Sequence, residues 1–269
     1  MRLLAAVLLL MPLSIVRRAD VADARYLALG KKFPAVIAAG RAGDATLISD
    51  QWLITAAHVA RSLRKAAVFT IGSEDYTADF VAMHPAWRDL GEHDVALIHL
   101  SRPVTGVIPI PLYRDSIEAG STATLVGHGA AGIGESRDRP EDGERRGATS
   151  RVDSVSAAWL YFSFDAPPQG TELEGAPGRG DSGGPAIITS KGKQAVAGIS
   201  SAGFDGRDGP GTYGAVDVFT RISTHLQWID SVMSGQSSLV PLPSGRRRMT
   251  TAVGSNRYVG HVASQPRHN

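Results

Sequence analysis

Strand-length apolar runs, each stopped by turn residues, fill the middle of this chain and restrict its architecture more than any other feature. "ATLISD" and "WLITAAHV" flank a turn at Asp50-Gln51, and "DVALIHL", "TATLVGHG", "WLYFSF", "PAIITS", "QAVAGISS" and "AVDVFTRI" follow. "KGK", around Gly192, joins two of them as a hairpin. Many short strands without intervening helical patterns exclude βαβ units and predict an all-β barrel or sandwich. The one strong helical pattern comes late. Thr224 and Gln227 form a candidate capping box, and Leu226, Ile229 and Met233 then share one face. Residues 130–150 are polar and Gly-rich and read as a surface loop.

The 269 residues are enough for a large core, and they include no cysteine. Disulfides, cysteine metal sites and thiolate chemistry are therefore excluded, and the core alone must hold the fold. The net charge of +2 is unevenly placed. From Gly235 onwards there are five arginines and no acid; without them, 23 basic residues face 26 acidic ones. The globular part is mildly acidic, so no nucleic-acid partner is inferred. The Ser/Pro/Arg-rich stretch 235–269 reads as a basic, disordered tail. At the other end, "MRLLAAVLLLMPLSIV" has a charged start and an apolar run too short for a comfortable membrane span. It reads as a secretory signal over 1–24, with Ala22-Asp23-Ala24 the nearest small-x-small cleavage site. A secreted or periplasmic protein without a later membrane span is expected.

"GRGDSGGPAI", residues 178–187, allows two uses. Arg179-Gly180-Asp181-Ser182 is an adhesion tetrapeptide if Asp181 is exposed. Alternatively Ser182 is a nucleophile, which needs a base, an orienting carboxylate and oxyanion donors. The glycines permit a tight turn in which the N–H groups of Gly180 and Ser182 converge, with Asp181 facing inwards. His58 in "LITAAHV" can be the base, and Asp94, heading an apolar strand, needs a buried partner. In isolation the first reads as a core histidine and the second as a strand-end cap. His84, His93 and His128 read as bystanders, with His93 directed away from Asp94 by strand alternation. His84, His93 and His99 lack metal-ligand spacing, and no calcium loop is evident, so no metal or cofactor is expected.

"TAAH", "DVAL" and "GDSGGP", in that order, resemble the chymotrypsin/trypsin family of serine endopeptidases, the likeness running from about Phe33 to Met233. Disulfide-free chains with "YLAL" and "FPAV" segments resemble exported bacterial members. The resemblance implies two six-stranded antiparallel Greek-key β-barrels and a C-terminal helix. The protease domain would occupy 25–234, with barrel one about 33–113, barrel two about 120–222 and the helix at 223–234. It implies peptide-bond hydrolysis through an acyl-enzyme, with His58 as base then acid, Asp94 as its partner and Ser182 as nucleophile. Gly180 and Ser182 would donate to the oxyanion, and Ser201 would support the His–Asp pair. Ser201, Ala202 and Gly203 would bind an extended polypeptide substrate. A protein inhibitor is a further conceivable partner, and the alternative function is a catalytically inactive binding module.

Two departures from the family pattern stand out. The specificity-pocket residue six before the serine, an aspartate in trypsin-like members, is Ala176; Asp217 on the opposite wall could instead select Arg or Lys before the scissile bond. Family zymogens expose an Ile-Val-Gly-Gly terminus whose amine pairs with the aspartate before the serine. No such stretch precedes "FPAV", where the chain reads "DARYLALGKKFPAV", so Asp181 is left needing another partner.

Overall fold

A computed structural model describes residues 15–63, 66–88, 91–140, 142–209 and 211–235. The apolar run before Ile15 and the tail after Gly235 lie outside the described residues, so the leader and tail readings are not addressed by it. Two curled antiparallel sheets form barrel-like halves. The first orders its strands Val36–Ala38, Asp44–Ser49, Trp52–Thr55, Ala96–Leu100, Glu74–Met83, Val68–Ile71. The second has seven: Arg146–Arg151, Thr122–Gly127, Pro185–Ser190, Lys193–Phe204, Val216–Arg221, Trp159–Ser163, Ser154–Val155. Each of the eight apolar runs becomes a strand. The hairpin at Lys191-Gly192 has both residues at positive φ, 51° and 77°, which matches the twist of the strands it joins.

One apolar cluster unites the halves. Leu47, Leu53, Ile54, Leu97 and Ile98 of the first sheet pack with Val126, Ile187, Val196 and Ile199 of the second. Each such buried side chain contributes about 1.5–3 kcal/mol, and this shared core stands where a disulfide-free chain needs it. A second cluster around Leu125, Leu160, Phe162, Ile188 and Phe219 fills the second half.

Two local readings are corrected. The helix α3, Leu226–Met233, has His225 at its N-cap with no side-chain cap; Thr224 Oγ1 instead donates to the Arg221 carbonyl within a short 3₁₀ turn, Ile222–Thr224. Its buried residues are Ile229 and Val232, while Leu226 and Met233 pack at the margin. The stretch 130–150 is only partly loop: Gly132–Ile133 and Arg146–Arg151 are strands, and Arg146 is buried in bidentate pairs with Asp23 and Asp142. A further helix, α1 at Asp23–Gly30, precedes the first barrel strand. It is held by Tyr26, fully buried, whose hydroxyl donates to the Glu174 carbonyl at 2.8 Å. Among the described residues no helix is long and apolar enough to cross a membrane.

Candidate active site

His58 sits on a single helical turn, α2 at Ala57–Ala60, directly after the Trp52–Thr55 strand. Asp94, fully buried, lies two residues before the Ala96–Leu100 strand that pairs with it. The pairing brings the two side chains together. One Asp94 carboxylate oxygen accepts the His58 backbone N–H at 2.9 Å, and the other accepts His58 Nδ1 at 2.7 Å and the Ser201 hydroxyl at 2.6 Å. Thr220 Oγ1 donates to the Asp94 backbone carbonyl. A carboxylate accepts only, so Nδ1 carries the imidazole proton and Nε2 presents its lone pair.

The Ser182 turn belongs to the second half but is built against the first. The Ser182 carbonyl accepts from the Asp44 N–H at 2.7 Å, and the Gly183 N–H donates to the Ser200 carbonyl at 2.8 Å. A Cβ on Gly43 would overlap the Ser182 carbonyl oxygen and lie 2.9 Å from Val59 on α2; one on Gly183, at φ +81°, would overlap Thr55 Oγ1 and lie 3.2 Å from the Ala56 nitrogen. Only glycine allows this approach, and the approach sets the Ser182 turn beside the turn that carries His58. Among the described residues, no backbone carbonyl accepts from the N–H of Gly180 or of Ser182.

Asp181 points inwards, 2 % exposed, which ends the adhesion reading. Its carboxylate accepts from the N–H groups of Gly129 and Gly178, each at 2.6 Å, and of Ile15 at 2.9 Å. The partner missing from the sequence reading is thus Ile15-Val16, at the end of the apolar run that reads as leader. Both residues are buried, and Val16–Arg17 pairs with Gly175–Ala176 on one side and Gly132–Ile133 on the other. Burial, and secondly the charge of nearby Asp44, pushes Asp181 up to about 7. Asp44, itself buried and raised by burial, accepts from the backbone N–H and Nδ1 of His128. His128 therefore is part of the site's support, which its flanking glycines do not reveal.

A pocket of about 260 Å³ opens beside Ser182. Ser201, Ala202, Gly203 and Asp217 line it, with Arg139 and Pro177. Ala176 does not; it is buried in a small cluster with Phe164 and with Val16 and Ala215, which do line the pocket. Asp217 stands opposite Gly203 on the neighbouring strand, where any Cβ would lie 2.7 Å from its carboxylate. Burial, with a lesser contribution from Asp181, pushes Asp217 up to about 8. Beyond Ser200 the Lys193–Phe204 strand pairs only with Val216–Arg221, leaving one backbone edge of Ser201–Gly203 free among the described residues.

The other histidines separate. His99 pairs with Asp79 on the outer surface. His93 does turn away from Asp94, and its ring meets His84 and His225.

The model of the trypsin family matches residues 30–229. The chain belongs to the trypsin family. It is 26 % identical over 209 residues to mast cell protease 2 of Ovis aries, across 70 % of this chain and 77 % of that protein. It is 26 % identical over 223 residues to the thrombin-like enzyme calobin-1 of Gloydius ussuriensis, across 71 % and 77 %. The structure of neuropsin, a serine protease expressed in the limbic system of mouse brain, superposes with a TM-score of 0.60 at 19 % identity, covering 81 % of this chain and 98 % of that one. As a trypsin-family member the chain is a serine-type endopeptidase, with polypeptides as its substrates.

Proposed function

We propose that this trypsin-family enzyme is exported and cleaves peptide bonds through an acyl-enzyme on Ser182. The observation that carries the reading is the Asp94 carboxylate, fully occupied by His58 and Ser201 and built beside the Ser182 turn. The Ser182 hydroxyl attacks the scissile carbonyl carbon while His58 Nε2 takes its proton. The carbonyl oxygen, now negative, accepts from the free N–H groups of Gly180 and Ser182. Asp94 holds the resulting imidazolium through Nδ1–H. Collapse breaks the C–N bond, and His58 returns the proton to the leaving amine. Water, deprotonated by the same imidazole, then hydrolyses the ester. The free edge of Ser201–Gly203 suits an extended substrate added as a strand.

The buried Ile15 nitrogen on Asp181 supports a leader that covers residues 1–14 and a processed start at Ile15, ten residues earlier than the sequence reading places it. Cleavage there would turn an amide N–H into an ammonium beside a buried carboxyl, favouring its ionised form. Asp217, opposite Gly203 in the pocket, supports a preference for Arg or Lys before the scissile bond.

The test is fluorophosphonate labelling of three chains: one beginning at Ile15, the same chain carrying Ser182→Ala, and one retaining residues before Ile15. Labelling confined to the first is expected. No labelling of a folded chain beginning at Ile15 would point to the inactive binding module, and equal labelling of the longer chain would remove the role of the Ile15 amine.

A further inference from the structure

Three histidines dispersed in sequence converge on the far side of the His58–Asp94 pair. His84 follows the Glu74–Met83 strand, and its N–H donates to the Val95 carbonyl. His93 directly precedes Asp94 and holds φ at +65°, uncommon outside glycine. His225, 3 % exposed, is the N-cap residue of α3. The ring nitrogens of the three lie within 4.8 Å of one another. His84 and His93 stack with centroids 4.6 Å apart, and His225 stands roughly perpendicular to both at 5.2 Å.

The hydrogen bonds decide where the lone pairs point. His225 Nδ1 lies 2.7 Å from the Arg221 carbonyl oxygen, which can only accept. Nδ1 therefore carries the proton, and the lone pair of Nε2 faces His93 Nδ1 at 3.0 Å. A backbone carbonyl that fixes one ring nitrogen and leaves the other free is the usual outer support of a metal-ligating histidine. No carboxylate belongs to the group, and His84 and His93 are only partly buried, so one side is open to water.

We propose that His84, His93 and His225 bind one divalent transition-metal ion of the Zn²⁺ class. Imidazole sets favour Zn²⁺, Cu²⁺ and Ni²⁺ over Ca²⁺ or Mg²⁺. Tetrahedral bonds of about 2.0–2.1 Å place ligand nitrogens about 3.3 Å apart. The His93–His225 pair, at 3.0 Å, is already close to that, and His84, within 4.8 Å, needs to approach by up to about 1.5 Å, giving up the weak 3.3 Å bond its Nδ1 accepts from the Ala86 N–H. On binding, the proton that His93 Nδ1 shares with His225 moves to its own Nε2, and water completes the fourth position. Such an ion would tie α3 to the segment that ends at Asp94. The proposal does not depend on the hydrolytic reading above.

Titration calorimetry with ZnCl₂ tests it on the full chain carrying Ser182→Ala, which prevents self-digestion, and Co²⁺ absorption gives an independent readout. One equivalent bound at micromolar Kd, with the intense visible bands of four-coordinate Co²⁺, is expected. His84→Gln and His225→Gln should each weaken binding by about 100-fold, while His99→Gln should leave it unchanged. If His225→Gln does not fold, His84→Gln and His93→Asn, both at partly exposed positions and the latter tolerant of positive φ, carry the test. Saturation absent at 1 mM Zn²⁺ (on the order of 1,000-fold weaker than expected), or undiminished affinity in folded His84→Gln, would overturn the site.

Discussion

Two carboxylate sites of this molecule, one around Asp94 and the other around Asp181 and Asp217, are held in opposite ways. In the first, Asp94 has a hydrogen-bonded imidazole, a hydroxyl and a backbone N–H around it, and the two strands that carry it and His58 are directly paired. In the second, Asp181 and Asp217 are lifted to about 7 and 8 by burial, Asp181 further by Asp44 and Asp217 by Asp181. Asp181 accepts three backbone N–H groups, yet the second carboxylate, Asp44, lies close by; a Cβ on Gly127 would sit within 2.8 Å of both. The Asp94 site is fixed by saturated bonds, whereas the Asp181 site, with Asp44 of the first half beside it, is left poised for a positive charge to arrive. The difference teaches that burial alone does not define a carboxylate's role; the sign of what can reach it does.

The sharpest way to break this comparison is Asp94→Asn, which keeps shape and loses the charge and the correct imidazole tautomer. A fall in kcat of roughly 10⁴, as in serine proteases generally, is expected, measured on a peptide ester and amide; a fall below tenfold would mean that Asp94 merely packs. Next, Gly183→Ala should destabilise by about 2–4 kcal/mol through strain and overlap with Thr55, read as a lowered midpoint in urea. Asp217→Asn should reduce the ratio of kcat/KM for Arg over neutral substrates by about 100-fold. In the unaltered enzyme that ratio should rise with pH through about 8 as Asp217 ionises, a dependence from which His58 cancels. The smallest effect concerns stability. Asp181 and Asp217 have folded values above those of an unfolded aspartate, so the fold binds more protons and loses stability as pH rises from about 4 to 8. A chain beginning at Ile15 should lose less of it than one with residues retained before Ile15, which a series of thermal midpoints against pH would resolve.

The parts legible from sequence share a physical character. Strands of Ile, Val and Leu between turn residues declare themselves locally, as did the Ser182 turn through its glycines, and the His–Asp–Ser order through its motifs. Hidden parts depend on partners far along the chain. Ile15 reaches Asp181 across 166 residues, and as the end of an apolar run it carries the signal of a leader. His225 reaches His93 across 132 residues, so spacing among nearby histidines could not show the cluster. α1 has a weak apolar face and is specified instead by Tyr26 and by Arg146, which pairs with its Asp23. Glu74–Met83 begins with polar residues and shifts register between Ala78 and Phe80, so its alternation is blurred. Thr224 shows the opposite failure: the local capping signal was present, and a nearer carbonyl took the hydroxyl.

The contact between Ile15 and Asp181 also bears on when this enzyme could first do harm. On the proposed reading, in which the protein is exported and removal of a leader frees the Ile15 amine, the processing that accompanies export is the step that arms it. No separate activator would be required, and no finished protease would exist on the side of the membrane where it was synthesised.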